Sequence, residues 1–130
     1  MLTVKIYSFG YFKSGIPEDD SGNGGGFVFD CRFIYNPGKL IEFHDLTGND
    51  DPVKKTLDSK PEMQTFLSDV KNIISAAIKN YVGRDFTSLM VSFGCTGGQH
   101  RSVYSAERMK EYIETEFPDV KVELKHMELD

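Results

Sequence analysis

The chain has 130 residues, 27% of them charged and 39% hydrophobic, with a formal net charge of −5 at neutral pH. This is the length of one domain large enough to bury a core, and no apolar run approaches the ~20 residues that a membrane span needs. An acidic balance gives no general attraction for nucleic acid. The N-terminal MLTVKIYSFG has no basic region followed by an apolar one, which argues against a secretory signal. Two cysteines, Cys31 and Cys95, make a poor disulfide framework, so reduced thiols in a cytoplasm are expected.

In chain order, Leu2, Val4 and Ile6 alternate with Thr3, Lys5 and Tyr7, which predicts a first strand. The glycine-rich stretch SFGYFKSGIPEDDSGNGGG reads as a loop. Phe27 to Ile34 reads as a second strand, with Asp30 and Arg32 two apart and therefore on one face, and YNPG turns the chain. After IEFHDLTGNDDP comes a short helix, with Asp51 as its expected cap and Pro52 at its first position. Ser59-Lys60-Pro61-Glu62 has the form of a capping box. The helix it opens carries a stripe of core residues from Met63 through Phe66, Leu67, Val70, Ile73, Ile74, Ala77 and Ile78 to Tyr81, with Gly83 as its stop. Leu89 to Phe93 is an apolar run, as expected of a strand covered on both faces. A helix follows, with Val103, Ala106, Met109, Ile113 and Phe117 on one side, and Val120, Val122 and Leu124 mark a last strand. The order of elements predicts an α/β fold: a single small three-layer domain, its sheet mostly parallel and its helices packed on the sheet.

The chemistry concentrates in GCTGGQHRS, between the apolar strand and the helix after it. A glycine-rich turn there leaves backbone N–H groups unpaired at the positive end of the helix dipole, and phosphate is the usual occupant. Amides from Thr96 through Gly97 and Gly98 to Gln99 are placed to ring an anion, Thr96 and Ser102 add hydroxyls, and Arg101 offers a planar fork for phosphate oxygens. His100 is a further donor or a titrating group. Three outlying features are weighed against plainer roles. Asp30 and Arg32 are either an ion pair or an extension of the site; Asp45 to Asp51 is either a turn and cap or part of it; Lys13 is either a surface lysine or a second phosphate contact. His44 and His126 have no partners at metal-ligand spacing, and neither metal nor cofactor is expected.

Cys95 and Arg101 are also spaced as in cysteine-dependent phosphatases, where a thiolate attacks phosphorus and an Asp protonates the leaving group. Asp45, Asp50 or Asp51 would have to be that acid. Against this, Gly94 stands before the cysteine where those enzymes usually have His, and His100 directly before the arginine is unusual. An anion grip without a convincing acid–base pair predicts binding rather than catalysis.

GCTGGQHRSVYSAERM resembles the signature of the C-terminal domain of the bacterial RapZ (YvcJ-type) RNase adapter family. SFG, KSGIP, FVFDCRFIYNP and LTGNDDPV match the same family in order, so the resemblance covers nearly the whole chain. It implies a phosphofructokinase-subdomain-like fold, binding of an amino-sugar phosphate such as glucosamine-6-phosphate, and contributions to binding small regulatory RNA and a ribonuclease. By matching motif the phosphosugar contacts fall on Thr96, Gly97, Gly98 and Arg101, with Gln99, His100, Asp30, Arg32 and Asn36 nearby. The phosphate-binding loop of that family's nucleotide-binding domain is not in this sequence, which reads as a free-standing version. Gly38 stands where the family commonly has a sugar-lining His, Gln99 replaces a basic residue, and HMELD ends the chain in place of a basic tail. Phosphate-backbone contacts dominate RNA affinity, so the expected partner is a small phosphorylated sugar first and RNA second, with no membrane partner. A homo-oligomer is left open.

Overall fold

A computed structural model describes residues 1–129. Its strands are β1 (Thr3–Gly10), β2 (Phe27–Asp30), β3 (Ser88–Cys95) and β4 (Lys121–His126), and its α-helices are α1 (Asp51–Asp58), α2 (Pro61–Gly83) and α3 (Arg101–Glu116). The four strands form one sheet in the order β2-β3-β1-β4, and every pairing is parallel. The α/β class and the parallel sheet are as the sequence predicts.

Burial explains the arrangement. β3 is buried at every position, the signature of a strand covered on both faces. Its residues Leu89, Val91, Phe93 and Cys95 join Val4 and Ile6 of β1, Leu67, Val70 and Ile74 of α2, and Ala106, Met109 and Ile113 of α3 in one apolar core. The segment 11–26 passes across the opposite face, where Gly26 lies against Met90. Helices, sheet and this segment make the three layers. Among the described residues no helix is long and apolar enough to cross a membrane.

Several element boundaries differ from the sequence expectation. β1 continues through Ser8, Phe9 and Gly10, where the sequence predicts a loop, because these residues pair with Phe93, Gly94 and Cys95. β2 stops at Asp30 rather than Ile34. The Asp30 carboxylate accepts from the Arg32 backbone N at 2.9 Å and from its guanidinium at 2.7–3.0 Å, which closes a turn in place of further strand. The capping box does not form. Pro61 is the first residue of α2, so the cap is Lys60, and the Ser59 hydroxyl instead donates back to Thr56 O at 2.7 Å. The cap of α1 is Asp50, one residue before the expected Asp51, and its carboxylate accepts from Thr47 N at 2.7 Å. Ile73, expected in the core stripe, is 45% exposed because α2 presents a wider apolar face than the sheet and α3 cover.

The connections position the site. β1 and β3 are neighbours, but the chain leaves β1 for the segment 11–26 on one face and leaves β3 for α3 on the other. In open parallel sheets the crevice at the carboxyl ends of two such strands is where ligands bind.

Candidate functional site

The turn after β3 is fastened to the protein through its carbonyls. Cys95 O accepts from Tyr11 N at 2.9 Å, Thr96 O from Phe12 N at 3.3 Å, Gln99 O from Gly48 N at 2.8 Å and His100 O from Tyr104 N at 3.0 Å. With the carbonyls turned inward, no hydrogen bond within the described residues is made by the amides of Gly97, Gly98, Gln99 or His100. Gly98 allows the reversal: its φ is +75°, and a Cβ there would lie 2.6 Å from Gly10 N. The free amides stand at the N-terminus of α3, whose first residue is Arg101 and whose cap, His100, makes no side-chain capping bond.

Arg101 is only 4% exposed. Its Nη1 donates to Arg32 O at 2.8 Å and to Ile34 O at 2.9 Å, and its Nη2 makes a long contact of 3.5 Å to Thr96 Oγ1. Its Nε is buried without a partner, and among the described residues no carboxylate lies within ion-pair distance. A buried guanidinium held by neutral oxygens, with no carboxylate in direct contact, retains a charge that an anion would neutralise.

These groups line one cleft of about 190 Å³, with Thr96, Gly97, Gln99, His100 and Arg101 on one side, Asn36 and Gly38 on the other, and Cys95 beneath. Asn36 spends its Oδ1 on Gly38 N at 2.9 Å, which shapes the short 3₁₀ turn Pro37–Lys39. His100 Nε2 lies 2.9 Å from Phe43 O, so the imidazole is tethered to the loop opposite. A Cβ on Gly38 would approach Asn36 Oδ1 to 3.0 Å and His100 Nδ1 to 3.3 Å, and its absence lets the two walls come close.

The other sequence candidates, Gly98 among them, do not line this cleft; Gly98 packs against Gly10 and Glu128 instead. Ser102 is buried, and its Oγ accepts from the Cys95 thiol at 3.1 Å. Asp30 and Arg32 close on each other, and the Arg32 guanidinium stacks over Tyr11 at 3.8 Å. That guanidinium holds the Asp30 carboxyl below the usual carboxylate range. Lys13 is exposed in the turn after β1 and its charge acts on Glu128. Asp45, Asp50 and Asp51, the acids a phosphatase would need, lie outside the cleft lining. Cys31 is buried, and burial pushes its thiol up, away from thiolate chemistry.

Two neighbours of the turn were not legible in the sequence. Gly48 packs so closely that a Cβ would sit 2.4 Å from His100 O. Glu128, beyond the last strand, packs on Gly98, where a Cβ would meet its Cγ at 2.4 Å. Neither carries a local signal, because both contacts are made between distant stretches of chain.

The fold and the turn define a parallel α/β domain with a glycine-rich turn of unpaired amides at a strand-to-helix junction. Residues 2–130 match the family model described as the RapZ C-terminal domain. The chain belongs to that family. It is 38% identical to a nucleotide-binding protein of Pseudoalteromonas atlantica over 99% of this chain and 43% of that protein. It is 40% identical to a nucleotide-binding protein of a Thermotoga species over 88% of this chain and 38% of that one, and 41% identical to a nucleotide-binding protein of Polynucleobacter necessarius over 86% and 36%. The chain therefore spans about two fifths of the length of these relatives.

Proposed function

We propose that the protein binds a small phosphorylated metabolite, a sugar phosphate of the glucosamine-6-phosphate kind, in the cleft at the start of α3. One observation carries the reading: among the described residues, buried Arg101 has no carboxylate partner and an unpaired Nε, beside a run of amides whose hydrogen bonds are unspent. A dianion placed there takes charge-assisted bonds, each worth about 1.5–3 kcal/mol net, in a site already arranged for it. The amides of Gly97, Gln99 and His100 and the remaining edge of Arg101 hold the phosphate. Thr96 supplies a hydroxyl, and Gln99, His100 and Asn36 face the sugar. The relatives are named nucleotide-binding proteins, which is in keeping with a phosphorylated ligand, here or elsewhere in those longer chains.

The cleft holds an anion grip without a carboxylate in its lining, and the proposal is binding, not turnover. The test is an amide-NMR titration with glucosamine-6-phosphate, inorganic phosphate and glucosamine. Saturable shifts at Gly97 to His100 are expected with the first, weaker ones with the second, and none with the third. Glucosamine shifting the same amides as strongly as its phosphate would remove the anion from the account. Hydrolysis of an aryl phosphate, abolished by Cys95→Ser, would replace it with the enzyme reading.

A further inference from the structure

The carboxylate of Glu128 is held as a bound anion would be. Its Oε2 accepts from the amides of Gly10 and Ser14, each at 3.0 Å, and its Oε1 accepts from Ser14 Oγ at 2.9 Å. Convergent backbone donors in a turn form an anion-binding concavity. Burial works to raise the Glu128 pKa, but the bonds from Gly10 and Ser14 and the charge of Lys13 outweigh it and keep the group below the ordinary glutamate range.

The location matters as much as the contacts. Gly10 ends β1 and Ser14 lies just beyond it, the glycine turn follows β3, and the crevice between these strands is the one that the topology favours for a ligand. The two turns touch: a Cβ on Gly10 would lie 2.7 Å from the Gly97 carbonyl carbon, and Glu128 packs on Gly98. Glu128 reaches this place from beyond the end of β4, with Met127 N donating to Ser8 O at 2.9 Å as the tether.

We propose that the Gly10–Ser14 turn is a second anion site, that the chain's own Glu128 fills it as a tethered competitor, and that an acidic group of a small ligand displaces that side chain. A tethered group competes at an effective concentration of about millimolar or above. A dilute monoacid therefore does not open the site, whereas a ligand already anchored in the neighbouring cleft competes on equal terms. Sugar phosphates bearing a second phosphate or a carboxylate gain contacts that neutral sugar phosphates lack. This consequence for ligand class rests on the phosphate reading of the cleft; the second site itself does not.

The test follows the amides of Gly10 and Ser14, for the second site, and of Gly97 to His100, for the cleft. The parent chain, Glu128→Ala and Glu128→Gln are each titrated with inorganic phosphate and, separately, acetate. Both variants are expected to show saturable shifts at Gly10 and Ser14 at probe concentrations at least tenfold below those needed in the parent. A larger gain for phosphate or for acetate identifies which acid the site favours. In the parent, 6-phosphogluconate is expected to move both sets and glucose 6-phosphate only the cleft. Silence of Gly10 and Ser14 in both variants with an otherwise native spectrum overturns the proposal. So does 6-phosphogluconate acting on the cleft alone, or loss of the native spectrum in both variants, since a carboxylate the fold requires cannot be displaced. Silence at Gly97 to His100 in all three proteins counts against the phosphate reading alone.

Discussion

Arg101 joins two tasks in one side chain. Its Nη1 ties down the carbonyls of Arg32 and Ile34, and the rest of the guanidinium faces the cleft residues. Replacing it with Ala leaves the buried Ile34 carbonyl and the half-buried Arg32 carbonyl without their donor, at about 1–3 kcal/mol for the first and less for the second. Arg101→Ala is therefore expected to lower the urea midpoint strongly and to abolish phosphate-induced shifts at Gly97 to His100. Arg101→Lys keeps the charge but has no fork to span both carbonyls and the cleft; it should retain part of the stability and lose most of the binding. His126 is a second residue whose environment makes a prediction. Its Nδ1 is 2.6 Å from Ser8 Oγ, while its Nε2 has no hydrogen bond and lies 3.7 Å from Glu107 Oε1. Burial pushes the imidazole below its ordinary value against the opposing pull of Glu107. Between that lowered value and the unfolded value of about 6.5, the unfolded chain binds more protons, so stability rises with pH across this window. The contribution of His126 is complete above the ordinary histidine value and is lost as pH falls below it. Urea midpoints measured from pH 7.5 to 5.5 should fall in the parent and stay flatter in His126→Asn.

The glycine turn was the most legible element, because its exposed amides and its sharp bend make the same demand. A backbone that bends sharply and exposes its amides needs glycine, and the strand and helix on either side announce themselves by periodicity. The two adjacent glycines nevertheless differ. At Gly97 an added Cβ meets nothing within 4 Å, whereas at Gly98 it meets Glu128, Gly10 and Phe9 from a φ of +75°. Gly98→Ala is expected to cost about 1–3 kcal/mol and to disrupt both turns. Gly97→Ala should fold with nearly the parent's thermal midpoint, and comparing the two melts checks this. Elsewhere the same local reasoning failed where a side chain found a nearer partner. Asp30 took Arg32 and ended β2; Ser59 took Thr56 O and left the box unformed. Contacts such as Gly48 on His100 or Glu128 on Gly98 join remote stretches, and periodicity and propensity are blind to them. The helix-to-helix fastening belongs to the same group. Tyr104 of α3 donates to Asp58 at the end of α1, and Arg108 Nη2 reaches the same oxygen at 2.9 Å. Tyr104→Phe removes the first bond and the one that Gln64 Nε2 donates to the hydroxyl at 3.1 Å, and leaves the Arg108 bond, for an expected loss of about 1–3 kcal/mol in equilibrium unfolding.

Across the whole molecule, the parallel sheet brings the turn after β1, the turn after β3 and the segment beyond β4 together at one end. Hydrophobic patterning was enough to find the strands and helices; it carried no information on their order, and strand order is what places Glu128 beside the glycine turn. Three acidic side chains that fasten remote or turning stretches, Asp30, Asp58 and Glu128, sit below their ordinary pKa range. For Asp30 the Arg32 guanidinium is the main cause; for Asp58 and Glu128 hydrogen bonds overcome the opposing effect of burial. Their stabilisation is present above the usual carboxylate range and is lost as pH falls through and below it, about pH 4 and lower. The account of function turns on Arg101 meeting a phosphate, and the Nε–H resonance of that one side chain reports it most directly. Titrated with glucosamine-6-phosphate, this resonance is expected to move and saturate together with the amides of Gly97 to His100. A ligand that binds while the Arg101 Nε–H resonance stays where it was would contradict the account.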